Sequence, residues 1–454
     1  MNLDEFHLLN HDGKPFNPYD FAICQHLKQS ENILVIGQQP YIYRHGVFIP
    51  DAGGTILKSK IQKCLYPQFI RSNTIERIYR LFLMDEEITA KADEMNNYPK
   101  RWICFENGFY DPLKRELFPH SPSYRALNQI PHEFIPYEHP TGNNIDSWLE
   151  YIAPDADDRE MLLQYLGYSL TRDTSQQKFL VLVGSGGTGK STVIKMLESV
   201  VGSDNISNIS LRELGQRFAS YGLLGKLVNS CADLEISALE DVSLVKKVLG
   251  EDSIRAEQKG KDAVSFKPYA KFCFSTNQLP LVLSETTNGF YRRLLILKMD
   301  RQPDKVKADF LETLQQETDH FIHLLVSALG RMYSNGVILE SQNSKIAVTQ
   351  LRNDSDTVSG WMDEEMSIDD KTERRERTYL YGKYSAWCER NDRQPLKRAS
   401  FYRSLENKQL VQKPLHGARY FYGICEKKPA PKTAEICTPS AENLHPHDDP
   451  TLPF

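Results

Sequence analysis

No stretch of this sequence approaches the eighteen or so consecutive apolar residues that a membrane-spanning helix needs. Its first residues, MNLDEFHLLNHDGK, are acidic and polar, whereas a secretory leader is basic and then apolar. These absences argue against membrane insertion and export. We therefore expect a soluble cytoplasmic protein without a membrane partner.

Paired cysteines are also missing. The eight cysteines lie far apart, and none forms a C-x-x-C pair or a Cys/His cluster at metal spacing. This spacing predicts reduced thiols and argues against a structural zinc site.

The chain has no overall excess of positive charge, since its formal net charge is −5. The charge is segregated, however: residues 353–370 contain seven acids and no base, whereas residues 371–425 contain thirteen bases and five acids. The second stretch is a basic patch of the kind that contacts nucleic acid.

The sequence does contain a glycine-rich turn between an apolar strand pattern and an amphipathic helix pattern, at residues 178–199 (KFLVLVGSGGTGKSTVIKMLES). It fits G-x-x-x-x-G-K-[ST], in which backbone N–H groups wrap nucleotide phosphates, the lysine reaches the β and γ phosphates, and the hydroxyl binds Mg²⁺. We expect a nucleoside triphosphate here, with Ser191 as a metal ligand. The predicted binding residues are Gly184, Ser185, Gly186, Gly187, Thr188, Gly189, Lys190, Ser191 and Thr192.

Two acids follow the next strand pattern. Residues 227–232 predict a buried strand, and Asp233 and Glu235 stand at its carboxyl end, where parallel sheets place catalytic groups. A nucleotide-hydrolysing site needs one carboxylate for the Mg²⁺ shell and usually another to orient the attacking water. We assign Asp233 to the metal and Glu235 to the water. The alternative is that both are ordinary helix caps.

Two later strand patterns carry further polar residues. Residues 269–277 (YAKFCFSTN) end in Asn277, which we expect to reach the γ phosphate or the water from a strand between the other two. Arg292 and Arg293 precede a fourth apolar strand, where a guanidinium stabilises transition-state charge on phosphate, in the same chain or on a neighbouring subunit. The alternatives are a turn at Asn277 and two solvated arginines that cap a strand.

Two basic segments predict contacts with DNA. Residues 250–268 predict a β-hairpin with Lys259 and Lys261 at its tip, which could hold a phosphate backbone or be a plain surface turn. Residues 379–425 predict two helices joined by a basic turn and followed by a strand pair around His416 and Gly417. This order is typical of a winged-helix DNA-binding domain. Its predicted DNA contacts are Lys397, Arg398 and Arg403.

The last segment, residues 426–454, is rich in Pro, Ser, Thr and charge, and we predict that it is disordered. Its end, HPHDDPTLPF, resembles the acidic tip of bacterial single-stranded-DNA-binding proteins, in which a terminal Phe enters an apolar pocket flanked by bases. The hypothesis is that this tip recruits a host replication protein, and the alternative is an unremarkable tail. The predicted contacts are Asp448, Asp449, Pro453 and Phe454.

These patterns predict an α/β protein with several domains. A mixed α/β N-terminal domain covers residues 1–140, and a P-loop ATPase core, with a central parallel sheet and flanking helices, covers residues 141–350. An acidic linker at 351–370, a winged helix at 371–425 and the tail complete the division.

Taken together, the motifs resemble those of the superfamily III AAA+ helicases, specifically the helicase half of the primase-helicases of phages, plasmids, pathogenicity islands and poxviruses. GSGGTGKST resembles that family's phosphate loop, and LGKLVNSCADLE resembles its second acidic motif. FCFSTNQLP resembles its third motif with the sensor asparagine, and GFYRRLLIL its arginine-finger segment. NGFYDPLKRELFPHSP and QIPHEFIPY resemble the lead-in domain, and YSAWCER through YFYGIC resembles the terminal winged helix.

The resemblance implies a homo-hexameric ring with ATP and Mg²⁺ between subunits. Arg292 or Arg293 would act on the neighbour's nucleotide, and the hairpin at 259–261 would line a DNA channel. Such proteins unwind forked DNA during replication of a mobile element in a bacterial host cell, translocate 3′ to 5′ on single-stranded DNA, and often load themselves at an origin.

This sequence departs from the family pattern in two ways. Leu234 separates the two acids, which are adjacent in many members, so the division of roles between them stays open; Thr188 also stands where Asn is common. No upstream region has the length of a primase catalytic domain, and primer synthesis is therefore not expected of this chain.

Two other functions fit the same motifs. An origin-binding initiator switched by ATP would hydrolyse ATP and remodel DNA with little processive unwinding. A motor that packages RNA or nucleoprotein would share the ATPase core, although a winged helix favours DNA.

Overall fold

The computed structural model describes residues 2–138, 140–214, 216, 218–231, 247–250, 252–257, 263–280, 288–303, 307–368 and 373–427. The chain forms two compact units, and the division between them falls between Thr357 and Val358. No helix in these ranges has both the length and the apolar character to cross a membrane.

The first unit contains most of the regular structure. Its strands are β1 (His7–Leu9), β2 (Pro15–Pro18), β3 (Ile33–Ile36), β4 (Gln39–Arg44), β5 (Val47–Pro50), β6 (Ile103–Phe105), β7 (Gly108–Asp111), β8 (Glu116–Phe118), β9 (Phe179–Val183), β10 (Ile206–Ser207), β11 (Val228–Cys231), β12 (Ile254–Ala256), β13 (Val264–Phe266), β14 (Lys271–Thr276) and β15 (Leu294–Lys298). Its helices are α1 (Asp20–Ser30), α2 (Thr55–Lys63), α3 (Ser72–Leu83), α4 (Asn143–Ile152), α5 (Ala156–Tyr168), α6 (Lys190–Val201), α7 (Leu211–Leu214), α8 (Asn288–Tyr291), α9 (Phe310–Gln315), α10 (Thr318–Asn335) and α11 (Gln342–Ser355). Short 3₁₀ helices cover Leu3–Phe6, Ala52–Gly54, Pro67–Phe69, Glu86–Ile88, Ala92–Glu94, Pro122–Tyr124, Ser203–Asn205 and Ala219–Leu223.

The N-terminal region pairs its strands locally. β3, β4 and β5 form an antiparallel meander, and β6, β7 and β8 form a second one. The turn between β4 and β5 has positive φ angles at His45 (46°) and Gly46 (99°), as a two-residue hairpin turn requires.

The central sheet has five parallel strands in the order β10-β11-β14-β9-β15. On one face Leu180 and Leu182 share a core with α5, α6 and α10. On the other face Phe179 and Val181 share a core with Phe274 and with residues of α11. Because helices or loops cover both faces, these strands read as continuous apolar runs in the sequence. The prediction that the strand ending at Asn277 lies between the other two is confirmed.

The segment between β6 and α4 packs on the same core as the sheet. Phe105 and Phe134 lie in one apolar cluster with residues of α5 and α10. The Asn128 amide donates to the Gly225 carbonyl oxygen (2.6 Å) and to Asn205 Oδ1 (2.8 Å). Residues on both sides of the Pro/Gly/Asn stretch near 140 thus belong to one compact unit.

The second unit opens on a helix and closes on a sheet. Its helices are α12 (Thr357–Glu365), α13 (Arg377–Arg390) and α14 (Arg398–Asn407), and its strands are β16 (Met366–Ile368), β17 (Arg374–Glu376), β18 (Val411–Leu415), β19 (Ala418–Tyr422) and β20 (Ile424–Glu426). β17, β19 and β18 form an antiparallel sheet in that order, and β16 pairs with β20. The predicted helix pair and the strand pair around His416 and Gly417 are confirmed.

The acidic run at 351–370, the predicted linker, contains the division between the two units and also has regular structure. It contains the end of α11, all of α12 and strand β16. Trp361 is fully buried, with its ring centroid 5.8 Å from that of Tyr384 and 5.6 Å from that of Phe401. The acids of α12 face outward, and Glu364 accepts a hydrogen bond from the Trp387 indole (2.7 Å). An acidic run can therefore be the solvent face of an amphipathic helix.

Replacing Trp361 with alanine should lower the free energy of unfolding of the second unit by about 3–5 kcal/mol, because a large buried ring is lost and a cavity is left. Chemical denaturation followed by tryptophan fluorescence and circular dichroism measures this change. Ile368→Ala, in the same acidic run but 67% exposed, is the matched control and should change stability by less than about 0.5 kcal/mol. Equal, small effects of the two substitutions would show that Trp361 does not contribute to the core of the second unit.

Candidate nucleotide-binding site

The glycine-rich loop lies where β9 ends, at the carboxyl edge of the parallel sheet. The N–H of Met299 donates to the Val183 carbonyl oxygen (2.7 Å), and the N–H of Gly184 donates to that of Thr276 (3.3 Å). A Cβ at Gly184 would lie 2.0 Å from the Met299 carbonyl oxygen, so only glycine fits there. The chain therefore leaves β9 between β14 and β15, and the two backbone hydrogen bonds fix where the loop begins.

The rest of the loop turns sharply into α6. Gly187 and Gly189 have φ angles of 82° and 92°, which favour glycine, and Gly189 caps the helix. The Thr188 hydroxyl donates to the Ser185 carbonyl oxygen (3.1 Å) inside the loop. This conformation directs the first N–H groups of α6 toward the loop, as in helix N-terminal anion sites.

Lys190 is the first residue of α6, and its side chain is folded back over the loop. Its Nζ lies 2.5 Å from the Gly184 carbonyl oxygen, 2.8 Å from that of Ser185 and 3.2 Å from Asn277 Oδ1. The residue is only 9% exposed. The structure therefore brings together two residues that the sequence places 87 positions apart, and both belong to the predicted site.

Two further predicted residues, Ser191 and Thr192, follow Lys190 on α6. Ser191 is exposed in the first turn of α6 and Thr192 is half-buried next to it. Asp233 and Glu235 lie outside the described residues. β11 ends at Cys231, parallel to β14, so it points toward the same edge of the sheet. Within the described part of the chain, no group of three His, Cys, Asp or Glu side chains could hold a metal ion.

Arg292 and Arg293 lie at the other end of the parallel strands, just before the amino end of β15. β15 is parallel to β9, with Leu294 opposite Phe179 and Lys298 opposite Val183. The length of β9, about 13 Å, therefore separates Arg292 and Arg293 from the glycine-rich loop of their own chain. Action of either arginine on a phosphate bound in the same chain, one of the two predicted arrangements, does not fit this topology.

The two arginines also differ in burial. Arg293 is 8% exposed, and its guanidinium donates to the Gly289 carbonyl oxygen and to Gln177 Oε1 (3.2 Å). Arg292 is exposed, and its Nη2 lies 3.4 Å from the same Gln177 oxygen. Arg293 fixes the start of β15, whereas Arg292 points to solvent and can meet another molecule.

Several residues near the loop were missed by the sequence motifs. The Gln302 amide donates to Ser185 Oγ (2.9 Å) and to the Gly186 carbonyl oxygen (2.7 Å). A cleft of about 470 Å³ is lined by residues that adjoin Gln302 and Ile152 in the sequence, and a Cβ at Gly189 would lie 3.5 Å from Ile152 Cγ2. The cleft is lined by Ser147, Glu150, Tyr151, Pro154, Arg159 and Arg301. No local pattern marks these residues, because they come from two distant segments that only the fold brings together.

A strongly perturbed lysine lies away from the site. Burial lowers the pKa of Lys271 to about 7, and its ammonium contacts the Thr171 carbonyl oxygen. Lys271 begins β14, at the end opposite Asn277. The lowered pKa of Lys271 is therefore a consequence of its burial in the sheet and not a feature of the nucleotide site.

The predicted DNA contacts are only partly within the described residues. β12 and β13 form the predicted antiparallel hairpin, with Ile254 opposite Phe266, but its tip with Lys259 and Lys261 lies outside them. In the second unit Lys397 caps α14, Arg398 and Arg403 lie on that helix, and all three are exposed. The tail residues Asp448, Asp449, Pro453 and Phe454 lie outside the described residues.

Three family models match the chain. One is described as D5 N terminal like and matches residues 55–154, and one is described as poxvirus D5 protein-like and matches residues 353–414. The third is a family of unknown function, DUF5906, and matches residues 182–293. This last match runs from β9 through the glycine-rich loop to Arg293.

A curated relative also matches. The chain is 30% identical over 224 residues to a protein of Acanthamoeba polyphaga mimivirus named "Putative helicase L207/L206". The match covers 47% of this chain and 23% of that protein, so the chain spans about a quarter of the length of this relative.

Among solved structures, the apo C-terminal region of NrS-1 is similar. One form has a TM-score of 0.48 and 12% sequence identity, and covers 88% of this chain and 98% of that chain. Another has a TM-score of 0.45 and 14% identity, over 89% and 98% of the two chains.

Proposed function

Because the chain belongs to the D5-like primase-helicase family of phages and poxviruses, we propose that it is an ATP-dependent DNA helicase. The observation that carries the proposal is the contact between Lys190 and Asn277 at the carboxyl edge of the sheet. In this position one lysine and one amide can address the same terminal phosphate. We propose DNA unwinding, rather than another use of ATP, because the mimivirus relative is named as a helicase.

The residues around the loop fit a nucleotide. A bound phosphate would replace the carbonyl oxygens as partner of the Lys190 ammonium, and the Asn277 amide would orient the attacking water. The cleft lined by Tyr151 and Arg301 has room for the base. Mg²⁺, when bound, neutralises charge on the phosphates. The exposed Ser191 hydroxyl is a suitable hard oxygen ligand for it, and Asp233 is proposed as the second.

The position of the arginines supports an oligomeric ring of the AAA+ type. Since Arg292 lies at the far edge of the sheet and is exposed, it can complete only a site on another subunit. A head-to-tail ring brings one edge of each subunit against the opposite edge of the next. We propose a homo-hexamer with ATP between subunits and Arg292 as the residue that stabilises the transition state.

Two regions are proposed to contact DNA. The β12–β13 hairpin would present Lys259 and Lys261 to a single strand of DNA, along which the ring would move in the 3′ to 5′ direction. The second unit has the order helix, two strands, two helices and three strands, of which β18 and β19 form a hairpin, and this order supports a winged helix with α14 as its DNA-contacting helix. Replication of a mobile element in a bacterial cell, loading at an origin and recruitment of a host protein by the tip at 448–454 belong to the same proposal.

A second candidate function is an ATP-switched initiator that binds an origin without processive unwinding. It is favoured by one observation, that the basic helix α14 lies in a compact unit of its own. Such a unit can bind duplex DNA whether or not the ring moves.

Strand displacement on a forked duplex with single-stranded tails distinguishes the two functions. A helicase should separate the strands only with ATP and Mg²⁺, and a single 3′ tail should be sufficient. ATP hydrolysis with an intact fork would instead identify the initiator. A blunt duplex of the same sequence is the matched control, because it offers no single strand to enter the ring.

A further inference from the structure

The three-stranded sheet of the second unit has one buried and one open face. Phe421 in β19 is fully buried, and its ring centroid lies 6.2 Å from that of Tyr402 in α14. Since side chains alternate along a strand, Tyr420 and Tyr422 project from the other face. Both are half-buried rather than covered. The sheet therefore presents two tyrosine rings, two residues apart, on the side away from α14.

Basic side chains flank these rings on both neighbouring strands. Arg374 in β17 lies opposite Tyr422, and Lys413 in β18 lies opposite Tyr420. The Arg374 guanidinium is 5.8 Å from the Tyr420 ring centroid, and the Lys413 ammonium is 5.6 Å from that of Tyr422. Each ring thus has a cation beside it and is only partly buried by the described residues.

One apolar and one acidic residue complete the surface. Val411, opposite Tyr422, is 54% exposed. Glu376, opposite Tyr420, accepts a hydrogen bond from the Thr378 hydroxyl and so is directed toward the start of α13. We call the surface formed by Arg374, Val411, Lys413, Tyr420 and Tyr422 the tyrosine face.

We propose that the tyrosine face binds single-stranded DNA by stacking unpaired bases on its two rings. Aromatic side chains on an open sheet are the usual platform for unpaired bases, and neighbouring cations hold the phosphates. Exposed cation–π contacts are weaker than base stacking, so a base can displace Arg374 or Lys413 from the ring, and the freed cation can bind a phosphate. Duplex DNA does not fit, because its bases are already stacked on each other.

The tyrosine face is separate from the proposed duplex contacts. Lys397, Arg398 and Arg403 belong to α14, which packs on the buried side of the same sheet. A duplex bound by α14 and a single strand bound by the tyrosine face would therefore lie on opposite sides of the sheet. The second unit can then hold both forms of DNA that meet at a fork.

Binding of fluorescent (dT)₂₀ and of a 20-base-pair blunt duplex to the full chain, measured without nucleotide, tests this site. The double variant Tyr420→Ala, Tyr422→Ala should bind (dT)₂₀ about tenfold more weakly and the duplex as before. Tyr420→Phe, Tyr422→Phe keeps both rings and should retain (dT)₂₀ binding. The matched control is Tyr379→Ala, an exposed tyrosine with a lysine 5.6 Å from its ring, but on α13.

Three results would overturn the proposal: unchanged (dT)₂₀ binding in the alanine variant, equal losses for (dT)₂₀ and duplex, or an equal loss in the phenylalanine variant. Photo-crosslinking of wild-type protein to an oligonucleotide with 5-iodouracil does not depend on any variant folding. Crosslinks should map to Tyr420 or Tyr422, and crosslinks confined to other segments would also overturn it. Because ATP is absent from the binding and crosslinking experiments, their outcomes do not depend on whether the chain is a helicase.

Discussion

Replacing Lys190 with alanine should abolish ATP hydrolysis and strand separation together, while duplex binding by the second unit persists. The ammonium of Lys190 is the only described cation that contacts both the glycine-rich loop and Asn277. Without it the phosphates lose their main positive partner, and the hydrolysis rate should fall more than about a hundredfold. Phosphate release, displacement of a forked strand and binding of a blunt duplex measure the three activities.

Lys195→Ala is the matched control for this variant. Lys195 lies on the same helix α6 but is exposed, so its removal deletes an equal charge without touching the loop. It should leave hydrolysis within about twofold of wild type, as for a surface substitution away from the site. Thermal unfolding checks that both variants are folded. Unwinding that survived in Lys190→Ala would contradict the proposed mechanism.

Local patterns were sufficient to predict the elements that carry the site. The strand, turn and helix around Lys190 were predicted because each has a local sequence pattern: an apolar run, a glycine-rich turn, and apolar residues at helical spacing. The place of β14 between β9 and β11 was also predicted, and the pairing of the strands confirms it. Contact between Asn277 and Lys190 follows from that order, since parallel strands end at one edge.

Features that depend on partners distant in sequence could not be predicted in this way. The sequence shows two adjacent arginines before an apolar strand, and both look alike. Only the parallel pairing of β15 with β9 shows that they lie away from the loop, and only packing distinguishes buried Arg293 from exposed Arg292. Gln302 carries no motif at all, because a single amide that bonds the loop has no pattern of its own.

For a related reason, composition alone did not reveal the buried side chains of the segment around Trp361. Seven acids without a base suggested a solvated linker. The apolar residues between them, Val358, Trp361 and Met362, are buried against the second unit instead. A charge count averages over the two faces of a helix and therefore conceals the face that packs.

Subunits that lack Arg292 should complement subunits that lack Lys190. Arg292→Ala alone should reduce hydrolysis on the order of a thousandfold, as loss of an arginine finger does. The proposed ring attributes this loss to a missing contact with the neighbour, because Arg292 lies about 13 Å of strand away from its own loop. A ring made only of Arg292→Ala subunits then lacks the arginine at every site. A ring made only of Lys190→Ala subunits lacks the lysine at every site, so both rings are inactive.

A mixed ring distinguishes a shared site from a site within one chain. When Arg292→Ala and Lys190→Ala subunits are mixed equally, half of the sites retain Lys190, and half of those face a neighbour with Arg292. Hydrolysis should recover to roughly a quarter of the wild-type rate if the sites act independently. No recovery in a mixture that native mass spectrometry shows to be co-assembled would mean that Arg292 does not act across the interface.

Arg293 supplies the contrast that makes this result specific. Its guanidinium holds the Gly289 carbonyl oxygen and Gln177 inside the fold, so Arg293→Ala should reduce stability by about 1–3 kcal/mol. Because the defect lies in the subunit's own fold, mixing with Lys190→Ala should restore less activity than Arg292→Ala does, and thermal unfolding should shift only in Arg293→Ala. If the two arginines exchanged these behaviours, Arg293 would be the residue that reaches the neighbouring nucleotide, and the start of β15 would have to rearrange when the ring forms.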